Sequence, residues 1–174
     1  PRLGLAAPTG KAASRTTDVL RQRCIEVGAS PSVVTAVTSE PARTVHKLLD
    51  YNPSRPQPFR YHSSNRLPYD IVIVDEASML SSSLMYHLLI ALADDAEIIL
   101  VGDPDQLASV DAGTVLGDIA SFRSSHFSRH PLHKRIEELK IIHRAKDAPG
   151  VLALAESIRA GDVAQTLTVL QSGH

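Results

Sequence analysis

Asp75 and Glu76 follow directly on the apolar run Ile71-Val-Ile-Val74, and Asp103 and Gln106 follow on Ile98-Ile-Leu-Val-Gly102. A carboxylate just past a buried strand is well placed to hold Mg²⁺ beside a nucleotide phosphate, and a neighbouring one can orient or deprotonate water. Pro104 and Asp105 form a turn that leaves Gln106 to present its amide to a phosphate or a water. Taken alone, Asp75 also reads as a cap on the next helix and Gln106 as an ordinary loop glutamine. A third group is Thr9-Gly10-Lys11, where a hydroxyl, an ammonium and backbone N–H groups meet at a helix start, a natural anion site. A solvated lysine at a helix start is the alternative there. Gly10-Lys11 is not a phosphate-binding loop, because Leu5 stands where that motif needs its first glycine and Ala12 where it needs Ser or Thr.

These groups need a scaffold that brings them together, and the pattern of apolar residues supplies one. Ile71 to Val74 reads as a strand buried on both faces, as in parallel sheets covered by helices. Leu80, Leu84, Leu88 and Leu92 recur at helical spacing before the next run, Ile98 to Val101, so the segment is a βαβ unit. Both strand ends then face one edge of the sheet, where ligands of open α/β sheets bind, and Asp75, Glu76, Asp103 and Gln106 converge. Leu3 to Ala7 is expected to be a short strand broken by Pro8, with a helix from Lys11 toward Val27 stopped by Gly28. Thr35 to Val37 is expected to be a short strand, and Thr44 to cap a brief helix carrying His46, whose ring alone suits a structural hydrogen bond as well as a ligand. Residues 51–68, with four prolines, read as a loop or excursion rather than core. Gly113 to Ile119 begins another helix, Ser121 to Pro131 is polar connection, Ile136 to Ile142 reads as a strand, and Pro149 to Ile158 as a helix closed by Ala160-Gly161.

At 174 residues, 43% apolar and 21% charged, the chain has the size and composition of one globular domain. The single cysteine, Cys24, excludes a disulfide framework and fits a reducing cytoplasm. No run approaches the roughly 20 apolar residues of a membrane span. The chain opens Pro-Arg-Leu-Gly, without a methionine or a leader, and is expected to be an internal piece of something longer. The net charge of −1 hides a segregation: residues 1–69 hold ten Lys or Arg against four acids, whereas residues 70–118 hold ten acids and no Lys or Arg. The first stretch suits a phosphate backbone and the second a divalent cation, though a solvated surface accounts for many of the basic residues equally well.

Leu5-Ala-Ala-Pro-Thr-Gly-Lys-Ala-Ala13, Thr44-Val-His46, Val74-Asp-Glu-Ala-Ser78 and Gly102-Asp-Pro-Asp-Gln-Leu-Ala-Ser-Val110 resemble, in order, successive motifs of superfamily 1 helicases. The likeness is to the RecD type, the alpha chain of exodeoxyribonuclease V, and includes Ala112 to Ile119. It is thinner at 140–161, where His143 stands in place of the usual aromatic before Arg144. The resemblance implies a P-loop NTPase (RecA-like) α/β fold with flanking helices, whose first strand and phosphate-binding loop precede residue 1. Residues 1–139 would be a partial motor domain and 140–174 the start of the following motor segment. It implies ATP and Mg²⁺, with Asp75 on the metal, Asp103 and Gln106 at the nucleotide, Glu76 activating water, Gln106 also coupling the γ-phosphate to DNA, and Arg144 as arginine finger. Thr9, Gly10, Lys11 and His46 would lie along single-stranded DNA. The implied function is an ATP-dependent DNA helicase that translocates on one strand, as a subunit of a recombination and repair exonuclease complex. Without its phosphate loop the piece alone is not expected to turn over ATP efficiently. Alternatives are a free-standing RecD-like helicase, a non-catalytic nucleic-acid module, and a phosphoryl-transfer enzyme using Lys11, against which Ala12 argues.

Overall fold

Four short parallel strands in the order β2-β1-β3-β4 form the sheet of the computed structural model, which describes residues 1–106, 115–139 and 149–172. The strands are β1 (Leu3–Ala7), β2 (Arg43–Thr44), β3 (Ile71–Val74) and β4 (Glu97–Leu100). Leu3 to Ala6 pair with Ile71 to Val74, and those in turn with Glu97 to Leu100. The ladder is therefore flush, and all four strands end at one edge. This is the parallel α/β sheet with flanking helices expected from the sequence.

β3 departs in one respect from the expectation of burial on both faces. Val72 and Val74 are fully buried, but Ile71 and Ile73 are only half-buried. With side chains alternating across the sheet, Val72 and Val74 face the main core, together with Ala6, and Ile73 and Asp75 face the other side. That core is filled by Val45, Leu48 and Leu49 from α3 (Val45–Leu48) and its end, and by Met85, Leu88 and Ala91 from α4 (Ser82–Ala91). α4 begins where Ser81 accepts from the Leu84 amide at 3.3 Å; it buries Met85, Leu88 and Ala91, with Leu84 partly buried against the same core and Leu80 and Leu92 buried on either side of the helix. Truncating Leu88 to Ala would cost about 2–5 kcal/mol.

α1 (Gly10–Glu26) starts and stops as its sequence dictates: Thr9 Oγ1 accepts from the Ala12 amide at 3.2 Å, and Gly28 takes φ 61° just past the end. It packs against β1 and β2. Thr35 to Val37 is helical, not a strand, lying within α2 (Pro31–Thr38). An extended Ser30 and Pro31 at the first turn start that helix, and packing against α1 outweighs the β preference of its valines and threonines. The strand of this region is instead β2, immediately before α3, whose first turn is capped by Thr44 Oγ1 accepting from Lys47 N at 3.2 Å.

Residues 51–68 hold no helix or strand, only the isolated bridges Tyr51 to Phe59 and His62 to Asn65. The excursion nevertheless contributes to the core, since Leu67 is 2% exposed and its amide donates to the Ala91 carbonyl at 2.7 Å. Asp50, at φ 50°, anchors it: Arg55 and Arg60 both reach the Asp50 carboxylate. α5 (Val115–Ser121) packs near the single turn Ala77–Met79 after β3, and the connection after it contains short turns at Ser125–Phe127 and Pro131–Arg135.

Residues 1–133 form one compact unit and 134–174 another. In the second unit, α6 (Pro149–Arg159) ends at Gly161 with φ 69°, and α7 (Val163–Gln171), unforeseen from the sequence, begins where Asp162 accepts from the Gln165 amide at 2.9 Å. Residues 136–139 are not a strand, and the rest of the strand expected to run on to Ile142 lies outside the described residues. Among the described residues, no helix is long and apolar enough to cross a membrane.

Candidate functional site

The flush parallel ladder decides what shares the site. Thr9 follows β1, His46 follows β2, Asp75 follows β3 and Asp103 follows β4, so all four lie toward the carboxyl edge of one sheet. The expected gathering of strand ends is thus present, and Arg144 lies outside the described residues.

At the end of β3 the chain keeps one ladder bond, Asp75 N to the Ala6 carbonyl at 2.9 Å, and then turns sharply. Glu76 makes the turn in the left-handed region, φ 53° and ψ 39°, a conformation costing about 1–3 kcal/mol for a residue with a side chain. Asp75 Oδ1 accepts from the Glu76 amide at 2.9 Å, which supports the turn from within. Its other oxygen, Oδ2, accepts from the Thr16 hydroxyl of α1 at 2.7 Å. Asp75 and Glu76 are both half-buried. The next amide, Ala77 N, donates across to the Val101 carbonyl at 2.8 Å, tying the turn to the end of β4.

Gly102 then passes very close to that turn. A Cβ on it would stand 3.0 Å from Ser78 N, 3.1 Å from Ala77 N and 2.7 Å from Leu116 Cδ2. The sequence showed the glycine but not this approach. After Gly102, Asp103 Oδ1 accepts from the Asp105 amide at 3.0 Å and the Asp103 carbonyl from Gln106 N at 3.2 Å, which is the turn expected at Pro104-Asp105. Gln106 is exposed. Ser78 Oγ is buried and has no hydrogen-bond partner beside these strand ends.

Whether a cation fits follows from the donors. No group of three or more His, Cys, Asp or Glu capable of holding a metal occurs among the described residues, so these residues offer no cage of their own. A half-buried carboxylate fixed by two hydrogen bonds beside a tight glycine turn instead suits Mg²⁺, which binds through one or two carboxylates and completes its shell with water and nucleotide phosphates. The residues fit that ion.

On the α1 side, Lys11 is exposed, and the first turn of the helix contains no acid to compensate the positive end of its dipole. Beyond β2, the exposed His46 ring stands edge-on to Tyr51 at 5.3 Å and stacks with Phe59 at 6.3 Å, while Phe59 lies 4.3 Å from His87. The sequence placed His46 on a short helix but did not join it to this aromatic group, which assembles from three separate segments.

A sequence model of the AAA domain family matches residues 2–112. The chain belongs to the AAA domain family. The AAA domain contains β1 to β4 and every site residue above except Arg144. The chain is similar to the RecBCD enzyme subunit RecD of Mycolicibacterium smegmatis, with 41% identity over 174 residues, covering 99% of this chain and 29% of the relative. It is likewise 40% identical over 174 residues to the RecBCD enzyme subunit RecD of Mycobacterium tuberculosis, covering 100% of this chain and 28% of the relative. The ATP-dependent RecD2 DNA helicase of Deinococcus radiodurans is 44% identical over 114 residues, 66% of this chain and 13% of that helicase. These relatives agree with the resemblance read from the motifs. The chain spans under a third of the length of each of the three.

Proposed function

We propose that this AAA domain is the nucleotide-facing and DNA-facing part of a RecD-like, ATP-dependent DNA helicase. The observation that carries the reading is the gathering of four strand ends at one sheet edge, with a carboxylate pair after β3, an acid and an amide after β4, and a basic helix start after β1. The relatives' names, two RecBCD subunits and a DNA helicase, point the same way.

In this reading Asp75 holds Mg²⁺, which when bound to ATP neutralises charge on the phosphates. Glu76, placed one residue on by its left-handed turn, takes a proton from the attacking water. Asp103 and Gln106 border the nucleotide, and the Gln106 amide senses the γ-phosphate. Arg144 stabilises charge on the transferred phosphoryl group, a part worth about 10³–10⁵ in rate in comparable enzymes. Thr9, Gly10 and Lys11 hold a phosphate of single-stranded DNA. His46 lies on the same strand, and its rings with Tyr51 and Phe59 give bases a surface to stack on. Residues 1–139 belong to one motor domain and 140–174 to the next segment of the motor. The full-length protein works in the cytoplasm, with partner subunits of an exonuclease complex.

Glu76→Gln in the full-length protein tests the assignment. The amide keeps the shape and loses the basic oxygen, so ATP binding persists while hydrolysis falls by about 10²–10⁴-fold. Near-normal turnover would overturn the role of Glu76.

A further inference from the structure

Thr16 is an unusual residue for its place. It is 8% exposed, on the face of α1 that also buries Ala13, where an apolar side chain would pack at no polar cost. Threonine is also a poor helix former, because its branched side chain loses rotamer freedom against the preceding turn. Its hydroxyl has two acceptors within reach, the Ala12 carbonyl at 2.9 Å and Asp75 Oδ2 at 2.7 Å, and only one proton to give. The Ala12 carbonyl faces the Thr16 amide within the helical ladder and does not need the hydroxyl. The carboxylate gains a charge-assisted bond, which is shorter and roughly twice as strong as a neutral one.

The alternation along β3 explains why this pair meets. Val72 and Val74 point into the core, so Ile73 and Asp75 project on the opposite face, and Thr16 of α1 reaches Asp75 there across 59 residues of sequence. The Glu76 amide fixes Oδ1 from the chain itself, and Thr16 fixes Oδ2 from a different element. With only Oδ1 held, the carboxyl plane would be free to swing about the Cβ–Cγ bond. With both held, its remaining lone pairs have a set direction.

We propose that Thr16 is a positioning residue for the Asp75 carboxylate, holding it from α1 in the orientation that receives the divalent cation. This rests on the reading of Asp75 as the cation ligand. Partners that orient a metal-ligating carboxylate typically matter 10- to 100-fold in metal affinity.

The test is binding of Mn²⁺, in place of Mg²⁺, to the full-length protein saturated with a non-hydrolysable ATP analogue, followed by the electron paramagnetic resonance of free Mn²⁺. Thr16→Val, nearly the same shape without the hydroxyl, is expected to weaken Mn²⁺ binding by about 10-fold or more. Thr16→Ser, which keeps the hydroxyl and loses a methyl group, should restore most of it. If the valine variant does not fold, Thr16→Ala against Thr16→Ser makes the same comparison. Unchanged Mn²⁺ affinity in Thr16→Val overturns the proposal, as does an equal loss in the valine and serine variants, which would make Thr16 a packing residue. Asp75→Asn separates the two levels of the claim. If it leaves Mn²⁺ binding intact, the cation reading of Asp75 falls and Thr16 with it. If Asp75→Asn weakens binding and Thr16→Val does not, only the role of Thr16 falls.

Discussion

The Tyr69 hydroxyl donates to Glu40 Oε2 at 2.7 Å, joining the stretch that leads into β3 to the segment between α2 and β2. Glu40 also pairs with Arg43 at 3.4 Å, and the Tyr69 ring packs against Gly4 of β1. The three strands β1, β2 and β3 are thus tied together away from the edge that holds the site.

That bond carries a pH signature. Burial, followed by the hydrogen bond to Glu40 and its negative charge, pushes the Tyr69 phenol from its ordinary 10.0 up to about 12. The folded state therefore holds this proton more tightly than the unfolded one. Its contribution to stability is complete below pH 10 and is lost as pH rises toward 12. A spectrophotometric titration should show a phenolate step near pH 12 that is missing in Tyr69→Phe. The same variant, losing a part-buried hydrogen bond worth about 1 kcal/mol, should show a shallower fall in stability over that alkaline range. An unchanged alkaline profile would mean that the hydroxyl is not bonded as described.

Glycines give a second prediction, because their surroundings differ. At Gly102 a methyl group would meet the Ala77 and Ser78 amides, which cannot move without shifting the turn that presents Asp75 and Glu76. Gly102→Ala should cost about 1–3 kcal/mol and weaken nucleotide binding by the full-length protein. At Gly10 there is nothing within 4 Å of the added carbon, so Gly10→Ala should leave stability unchanged or slightly raised. Equal melting temperatures for the two variants would contradict the close approach at Gly102.

The sequence made the site's edge legible and left its cross-links hidden. Asp75 and Asp103 could be placed together because strand and helix periods are local patterns, and parallel pairing then puts consecutive strand ends side by side. Thr44 was readable as a cap for the same reason. Thr35 to Val37 misled because β preference is weak against a proline-initiated helix packed on α1. α7 was missed because Asp162 restarts a helix one residue after Gly161 ends the previous one. The Thr16 to Asp75 bond and the rings around His46 depend on contacts between distant segments, and no spacing in the chain announces those.

Gln106 gives a third prediction, concerning how nucleotide and DNA communicate. Its side chain is exposed at the turn after β4, held by a backbone bond to Asp103. If the amide meets the γ-phosphate chiefly along the reaction path, Gln106→Ala should lower DNA-stimulated ATP hydrolysis and unwinding more than nucleotide affinity. Equal losses of affinity and rate would demote it to a ground-state contact.

Lys11 tests the DNA face. Thr9 caps α1 through the Ala12 amide, the first turn contains no acid, and Lys11 is exposed beside the remaining N–H groups, an arrangement suited to a phosphate. A phosphate contact carries no base information, so Lys11→Ala in the full-length protein should weaken single-strand binding about equally for all sequences. One lost contact on a single strand should also flatten the slope of log affinity against log salt by about 0.7. A lysine that served the nucleotide would leave this slope alone and raise the ATP concentration needed for hydrolysis. Titrating single-stranded DNA at several salt concentrations without nucleotide distinguishes the two. An unaltered slope with unaltered affinity would return Lys11 to the solvated surface and leave His46 and its neighbouring rings as the contact to probe next.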